Sequence, residues 1–213
     1  MSSVAVIDYG MGNLHSIAKA LQLSDPGVQV NITSAPNEIL AADRIVFPGV
    51  GAIRDCMQAL IYLNLPDVLR DVARLKPFLG ICLGMQAMLT DSEENEHTGC
   101  LNIFPGHVVR FPDGLVDVSG NRLKIPHMGW NQVYQRPHSL WRNIPQNSRF
   151  YFVHSYYAVP DASSVVVATA EYPNPFACAI AKDNVFAVQF HPEKSQTAGL
   201  QLLQNFLNWD GNA

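Results

Sequence analysis

Cysteine is sparse in this sequence: four residues, at 56, 82, 100 and 178, with no C-x-x-C pair and none of the density of a secreted disulfide scaffold. Free thiols are therefore expected, of which at most one need be special. Long apolar runs are missing as well. None approaches the roughly 20 residues of a membrane span, and the amino-terminal run reaches Asp8 after four apolar residues, too short for a signal peptide. A soluble, cytoplasmic chain with no membrane partner is expected. Clustered positive charge is absent too: 14 basic residues face 18 acidic ones and are scattered, so nucleic acid is not an expected partner. Six of the seven histidines (His15, His97, His107, His127, His138 and His154) show no ligand spacing with cysteines or carboxylates, and neither a metal nor another cofactor is expected.

What is present is a chain of 213 residues, 48% of them hydrophobic, enough for one substantial core. We expect a single domain over residues 1–213. The first third alternates short β-rich runs with helical periods, the pattern of a sheet covered by helices on both faces. Val4–Asp8, Val28–Thr33 and Arg44–Phe47 read as strands, and Leu14–Leu23, Ala52–Leu63 and Pro66–Leu75 as helices. Pro77–Ile81 is a further short strand followed by helix formers from Leu83 to Leu89. Beyond residue 100 the reading is of strands at Gly106–Phe111, Gln132–Tyr134, Phe150–Val159, Ser164–Ala170, Ala177–Ala181 and Val185–Phe190, then a last helix, Thr197–Trp209. Pro112–Arg122 reads as a loop. The expected fold class is α/β, a mixed central β-sheet flanked by helices, with a nucleophile elbow.

That elbow is Gly80-Ile-Cys-Leu-Gly84, whose small-x-nucleophile-x-small form lifts a reactive atom above a sheet on a tight strand-to-helix turn. A thiol there lies near unpaired backbone N–H groups, which favour thiolate. A buried, inert cysteine between two glycines is the competing reading of the elbow alone. A thiol nucleophile needs an imidazole to take and return its proton, and that imidazole needs an acceptor to orient it. Phe190-His-Pro-Glu193 supplies both at the end of a strand, although a His-Pro-Glu turn by itself also suits a solvated surface turn.

Taken together, Gly80-Ile-Cys-Leu-Gly-Met-Gln86 and His191-Pro-Glu193 resemble the class I, or triad, glutamine amidotransferases. Tyr9-Gly-Met-Gly-Asn13, Pro48-Gly-Val-Gly51, Pro126-His-Met-Gly-Trp-Asn131, Tyr151-Phe-Val-His-Ser-Tyr156 and His191-Pro-Glu-Lys-Ser195 are similar to the branch that serves imidazole glycerol phosphate synthases. The resemblance implies hydrolysis of glutamine to glutamate and ammonia, and a heterodimer with a cyclase subunit that is a (βα)8 barrel. It makes Cys82, His191 and Glu193 the catalytic residues and places oxyanion donors at Leu83 and at Gly49, Val50 and Gly51. It implies glutamine contacts from Gln86, Ser155 and Tyr156 and partner contacts from Trp130 and Asn131. A tryptophan at 130 is equally an ordinary core residue on sequence alone. A stand-alone γ-glutamyl hydrolase or cysteine peptidase would use the same three residues, and a glutaminase could also serve a different synthase.

Overall fold

The computed structural model describes residues 2–212. Its first half is built from β1 (Ser3–Ile7), α1 (Leu14–Ser24), β2 (Gln29–Thr33), α2 (Pro36–Ala41), β3 (Arg44–Gly49), α3 (Ile53–Tyr62), α4 (Pro66–Leu75), β4 (Phe78–Cys82) and α5 (Leu83–Gln86). There follow β5 (Asp91–Ser92), β6 (Thr98–Gly99), β7 (Gly106–Arg110), β8 (His127–Gln132), β9 (Tyr134–Gln135), β10 (Arg149–His154), β11 (Tyr156–Pro160), β12 (Val166–Glu171), β13 (Pro175–Lys182), β14 (Val185–Val188) and α6 (Gln196–Asn208).

The main sheet runs in the order β2-β1-β3-β4-β14-β13-β11-β7-β5-β6. Strands β2 through β14 in that order are parallel, and β13, β11 and β7 continue antiparallel, so the sheet is mixed as expected. Residues alternate across β1: Val4 and Val6 join the core under α1 and α6, while Ala5 and Ile7 join the core under α3 and α4. Each helix buries one stripe. In α1 it is Ile17, Ala20 and Leu21, in α4 Leu69, Val72 and Ala73, and in α6 Leu202, Leu203, Phe206 and Leu207. Helix α4 also starts on a proline and carries Asp67 in its first turn and Arg74 in its last, an arrangement that complements its dipole.

Several boundaries differ from the sequence reading. The run Phe150–Val159 is two strands, broken at Ser155, because β10 pairs with β8 in a separate two-stranded sheet while β11 joins the main one. Gln132–Tyr134 is likewise no strand of its own: Val133, fully buried, is the crossing from β8 to β9. Helix α5 ends at Gln86 and not Leu89, because Met88 and Leu89 donate to the carbonyls three residues back and the Met88 carbonyl accepts from Ile103 and Phe104. Short α2, with Pro36 at its start, and the two-residue strands β5 and β6 escaped the periodicity reading altogether. Among the described residues, no helix is long and apolar enough to cross a membrane.

Candidate active site

Strands β3, β4 and β14 run parallel, and their carboxyl ends meet at one edge of the sheet, where such sheets place functional groups. Cys82 is the last residue of β4 and sits at φ 54°, ψ −109°, a left-handed conformation that side chains seldom adopt. What holds it there is close packing. A Cβ on Gly84 would lie 1.9 Å from the Phe47 carbonyl oxygen, so only glycine lets α5 approach β3 this closely. The turn of helix is too short for a macrodipole, and its electrostatic help to the thiol comes from the free amides at its start.

His191 and Glu193 are held by the 3-10 turn Pro192–Lys194 that follows β14. His191 Nδ1 is 2.8 Å from Glu193 Oε1, and both side chains are buried. Since a carboxylate only accepts, Nδ1 carries the proton, and Nε2 is the atom available to Cys82. Burial opposes a charge on His191, but Cys82 and then Glu193 outweigh it and push the imidazole up to about 10. The turn itself is fixed from both sides. His191 N donates to the Tyr151 carbonyl, Ser195 Oγ donates to the His191 carbonyl and accepts from Tyr151 N.

The other three thiols are buried, and burial raises each: Cys56 and Cys100 to about 12, Cys178 further. None of them lies in the pocket above Cys82. That pocket, about 290 Å³, is lined by Cys82, His191, Leu83, Gln86, Ser155 and Tyr156, together with Val50, Gly51, Glu94, Pro126, Val153 and His154. It thus gathers the expected nucleophile and base, all three expected glutamine contacts and, of the expected donors, Leu83, Val50 and Gly51. Gly49 pairs with Cys82 across β3 and β4. The Tyr9 hydroxyl, also buried, donates to the Pro48 carbonyl at 3.0 Å and props this segment from below. Gly51 follows at φ +98°.

Gln86 is 4% exposed, and its Nε2 donates to the Tyr156 carbonyl and to Gln189 Oε1, each at 2.9 Å. The nitrogen is thereby committed to the protein, and the amide oxygen is the part that can meet a ligand. Trp130 and Asn131 are separate from this pocket. Trp130 is exposed on β8, its ring edge-on to Tyr151, over which Lys194 Nζ lies 5.8 Å from the centroid. This removes it from the core. Asn131 is half-buried and its amide is engaged by the Glu171 carbonyl and Gln132 N.

Two residues of the site were not singled out from sequence. Glu94, inside what read as an acidic stretch, lines the pocket, and its Oε2 accepts from Ile53 N at the start of α3. Gln189 is fully buried between Gln86 and Cys82. A lone amide inside an apolar strand was its available signal, because a buried amide must find partners. Among the described residues, no three His, Cys, Asp or Glu side chains converge as metal ligands.

The profile of the family "Glutamine amidotransferase class-I" matches residues 5–209. The chain is 63% identical over 212 residues to the imidazole glycerol phosphate synthase subunit HisH of Methylococcus capsulatus, covering 99% of this chain and 98% of that one. It is 61% identical to the subunit of the same name from Nitrosococcus oceani, covering 99% of each. Among solved structures, PurLQS from Thermotoga maritima superposes with a TM-score of 0.71 at 16% identity, covering 97% of this chain and 98% of the matched one. At that identity the likeness speaks for the fold.

Proposed function

The chain belongs to the class I glutamine amidotransferase family, and we propose that it is the glutaminase subunit of an imidazole glycerol phosphate synthase, acting in histidine biosynthesis. It hydrolyses glutamine to glutamate and ammonia and passes the ammonia to a cyclase subunit, a (βα)8 barrel that does the lyase chemistry. Residues 1–213 constitute one such domain, in keeping with the family match over 5–209. Its four free thiols suit a cytoplasmic setting.

The observation that carries this reading is a cysteine at a left-handed strand-to-helix turn lining the same pocket as a buried imidazole whose Nδ1 is held by a carboxylate at 2.8 Å. Cys82 attacks the side-chain carbonyl carbon of glutamine, and the resulting oxyanion is met by backbone N–H groups of Leu83 and the Gly49–Gly51 stretch. His191 gives its Nε2 proton to the departing ammonia and then takes one from water, which cleaves the thioester and frees Cys82. Glu193 holds the ring in register and balances its charge. Gln86, Ser155 and Tyr156 hold the substrate, and the Glu94 carboxylate on the pocket wall suits its α-ammonium group. Trp130 and Asn131 face the cyclase.

The test is Cys82→Ala in the assembled synthase. Glutamine-dependent synthesis should fall by several orders of magnitude, on the scale of a lost triad nucleophile, while added ammonium restores synthesis and partner binding is unchanged. Normal glutamine-dependent turnover in that variant would end the assignment.

A further inference from the structure

Gln189 is fully buried, with apolar Val188 and Phe190 on either side, and its amide contacts two side chains. Oε1 accepts from Gln86 Nε2 at 2.9 Å, and Nε2 lies 3.6 Å from Cys82 Sγ. The direction of these bonds follows from one atom. The Tyr156 carbonyl oxygen can only accept, and it lies 2.9 Å from the Gln86 amide and 2.8 Å from His154 Nδ1. Gln86 must therefore turn its NH2 group toward it, since the reversed amide would set two oxygens that far apart. The second N–H of Gln86 then faces Gln189, whose oxygen must receive it, and the NH2 group of Gln189 is left pointing at the sulfur. His154, whose Nδ1–H donates to the same carbonyl, accepts at Nε2 from His127 Nδ1 at 2.9 Å. Burial lowers His127 to about 4 and, with smaller effects from its neighbours, His154 to about 3, so neither ring supplies a charge that would reorient the chain at neutral pH.

We propose that Gln189 is a positioning residue for the nucleophile: its amide, oriented through Gln86 and the Tyr156 carbonyl, donates to Cys82 Sγ and favours thiolate over thiol. The proposal rests on Cys82 being the nucleophile. A donor stabilises a sulfur anion more than a neutral thiol, which lowers the pH at which the anion forms. His191 does the same as a charge, but it must part with its proton during turnover. An amide does not titrate, so the donor from Gln189 persists through the whole cycle. The other titratable groups around the sulfur are Glu193 on the His191 turn, Tyr9 beyond β1, His154 on β10 and Glu94 across the pocket.

The experiment is the pH dependence of Cys82 alkylation by iodoacetamide in the full chain, a reagent small enough not to need the glutamine-binding side chains. Gln189→Leu should raise the midpoint by about one unit and slow alkylation about tenfold below it. Gln86→Leu should shift it in the same direction by less, because the Gln189 amide loses its guide. Gln189→Glu, nearly isosteric, should shift it furthest by placing a carboxylate beside the sulfur. An unchanged midpoint in folded Gln189→Leu overturns the proposal, and so does slowed turnover with an unchanged midpoint, which would mark a purely structural role. Should the leucine variant not fold, the wild-type chain decides: the side-chain amide resonance of Gln189 must follow the Cys82 titration and lose that step in Cys82→Ala. A resonance that ignores the titration overturns the proposal. An inert wild-type Cys82 overturns both this and the assigned function, whereas alkylation with unmoved midpoints overturns this alone.

Discussion

His191 is a histidine whose burial and neighbours pull in opposite directions, and the neighbours win. Its folded-state value of about 10 lies above the ordinary 6.5, so the imidazolium stabilises the fold fully below about pH 6.5 and loses that contribution as pH rises toward about 10. Glu193→Gln removes one of the two groups responsible. It should lower Tm most at neutral and mildly acidic pH, with the gap to wild type closing as pH approaches about 10. Thermal melts across that range check it, and a gap independent of pH would contradict it. The thiols give a second test at this scale. Burial raises Cys56, Cys100 and Cys178, so brief alkylation of the native chain near neutral pH should yield a single adduct, at Cys82, by mass spectrometry. Unfolding first should yield all four.

Among the elements, the placement of the base depends on α6 as much as on β14. A Cβ on Gly199 would lie 1.9 Å from the Pro192 carbonyl oxygen, so this helix packs directly on the turn that carries His191 and Glu193. Gly199→Ala should push the turn and helix apart, costing about 1–3 kcal/mol in urea unfolding, as overpacking does. Because the displaced carbonyl lies between the side chains proposed as base and orienter, kcat should fall as well; a stable variant with full activity would show that the contact is not needed. Sequence periodicity revealed α6 to within a residue at either end, since its stripe repeats at helical spacing. It could not show what Gly199 touches, because Pro192 and Gly199 meet only through a turn whose geometry no periodicity encodes.

At the scale of the whole molecule, the face carrying Met128, Trp130, Tyr151 and Lys194 is continuous with the turn after His191, because Lys194 belongs to that turn and Tyr151 bonds to His191 and Ser195. Met128 and Trp130 are exposed large side chains there. Trp130→Ala should weaken association with the cyclase by about tenfold or more, as loss of a tryptophan anchor commonly does, without changing Tm or the alkylation of Cys82. Titration calorimetry against the cyclase would check it, and unchanged affinity would remove Trp130 from the interface. The same continuity suits a glutaminase that is slow alone and fast in the complex. Partner plus the partner's own substrate should raise glutamine hydrolysis by about a hundredfold or more if a donor amide of the Gly49–Gly51 stretch turns inward on activation. Equal turnover by the free chain, the complex and the liganded complex would exclude such a switch.

The sequence by itself determined the α/β class and the helices on both faces, and it picked out the three residues proposed as the triad, since these are local matters: periodicity, a glycine-flanked cysteine, a histidine two residues before a glutamate. Tertiary structure decided the rest. It split Phe150–Val159 between two sheets, because strand pairing is a relation between distant segments. It moved Trp130 from an open question to the surface. It brought Glu94 to the pocket wall and Gln189 between Gln86 and Cys82, and it gave the Gln86–Gln189 pair a direction, which depends on a carbonyl 70 residues away from Gln86. A buried amide is visible in a sequence, but which way it points is set by its partners, and partners are chosen only when the chain folds.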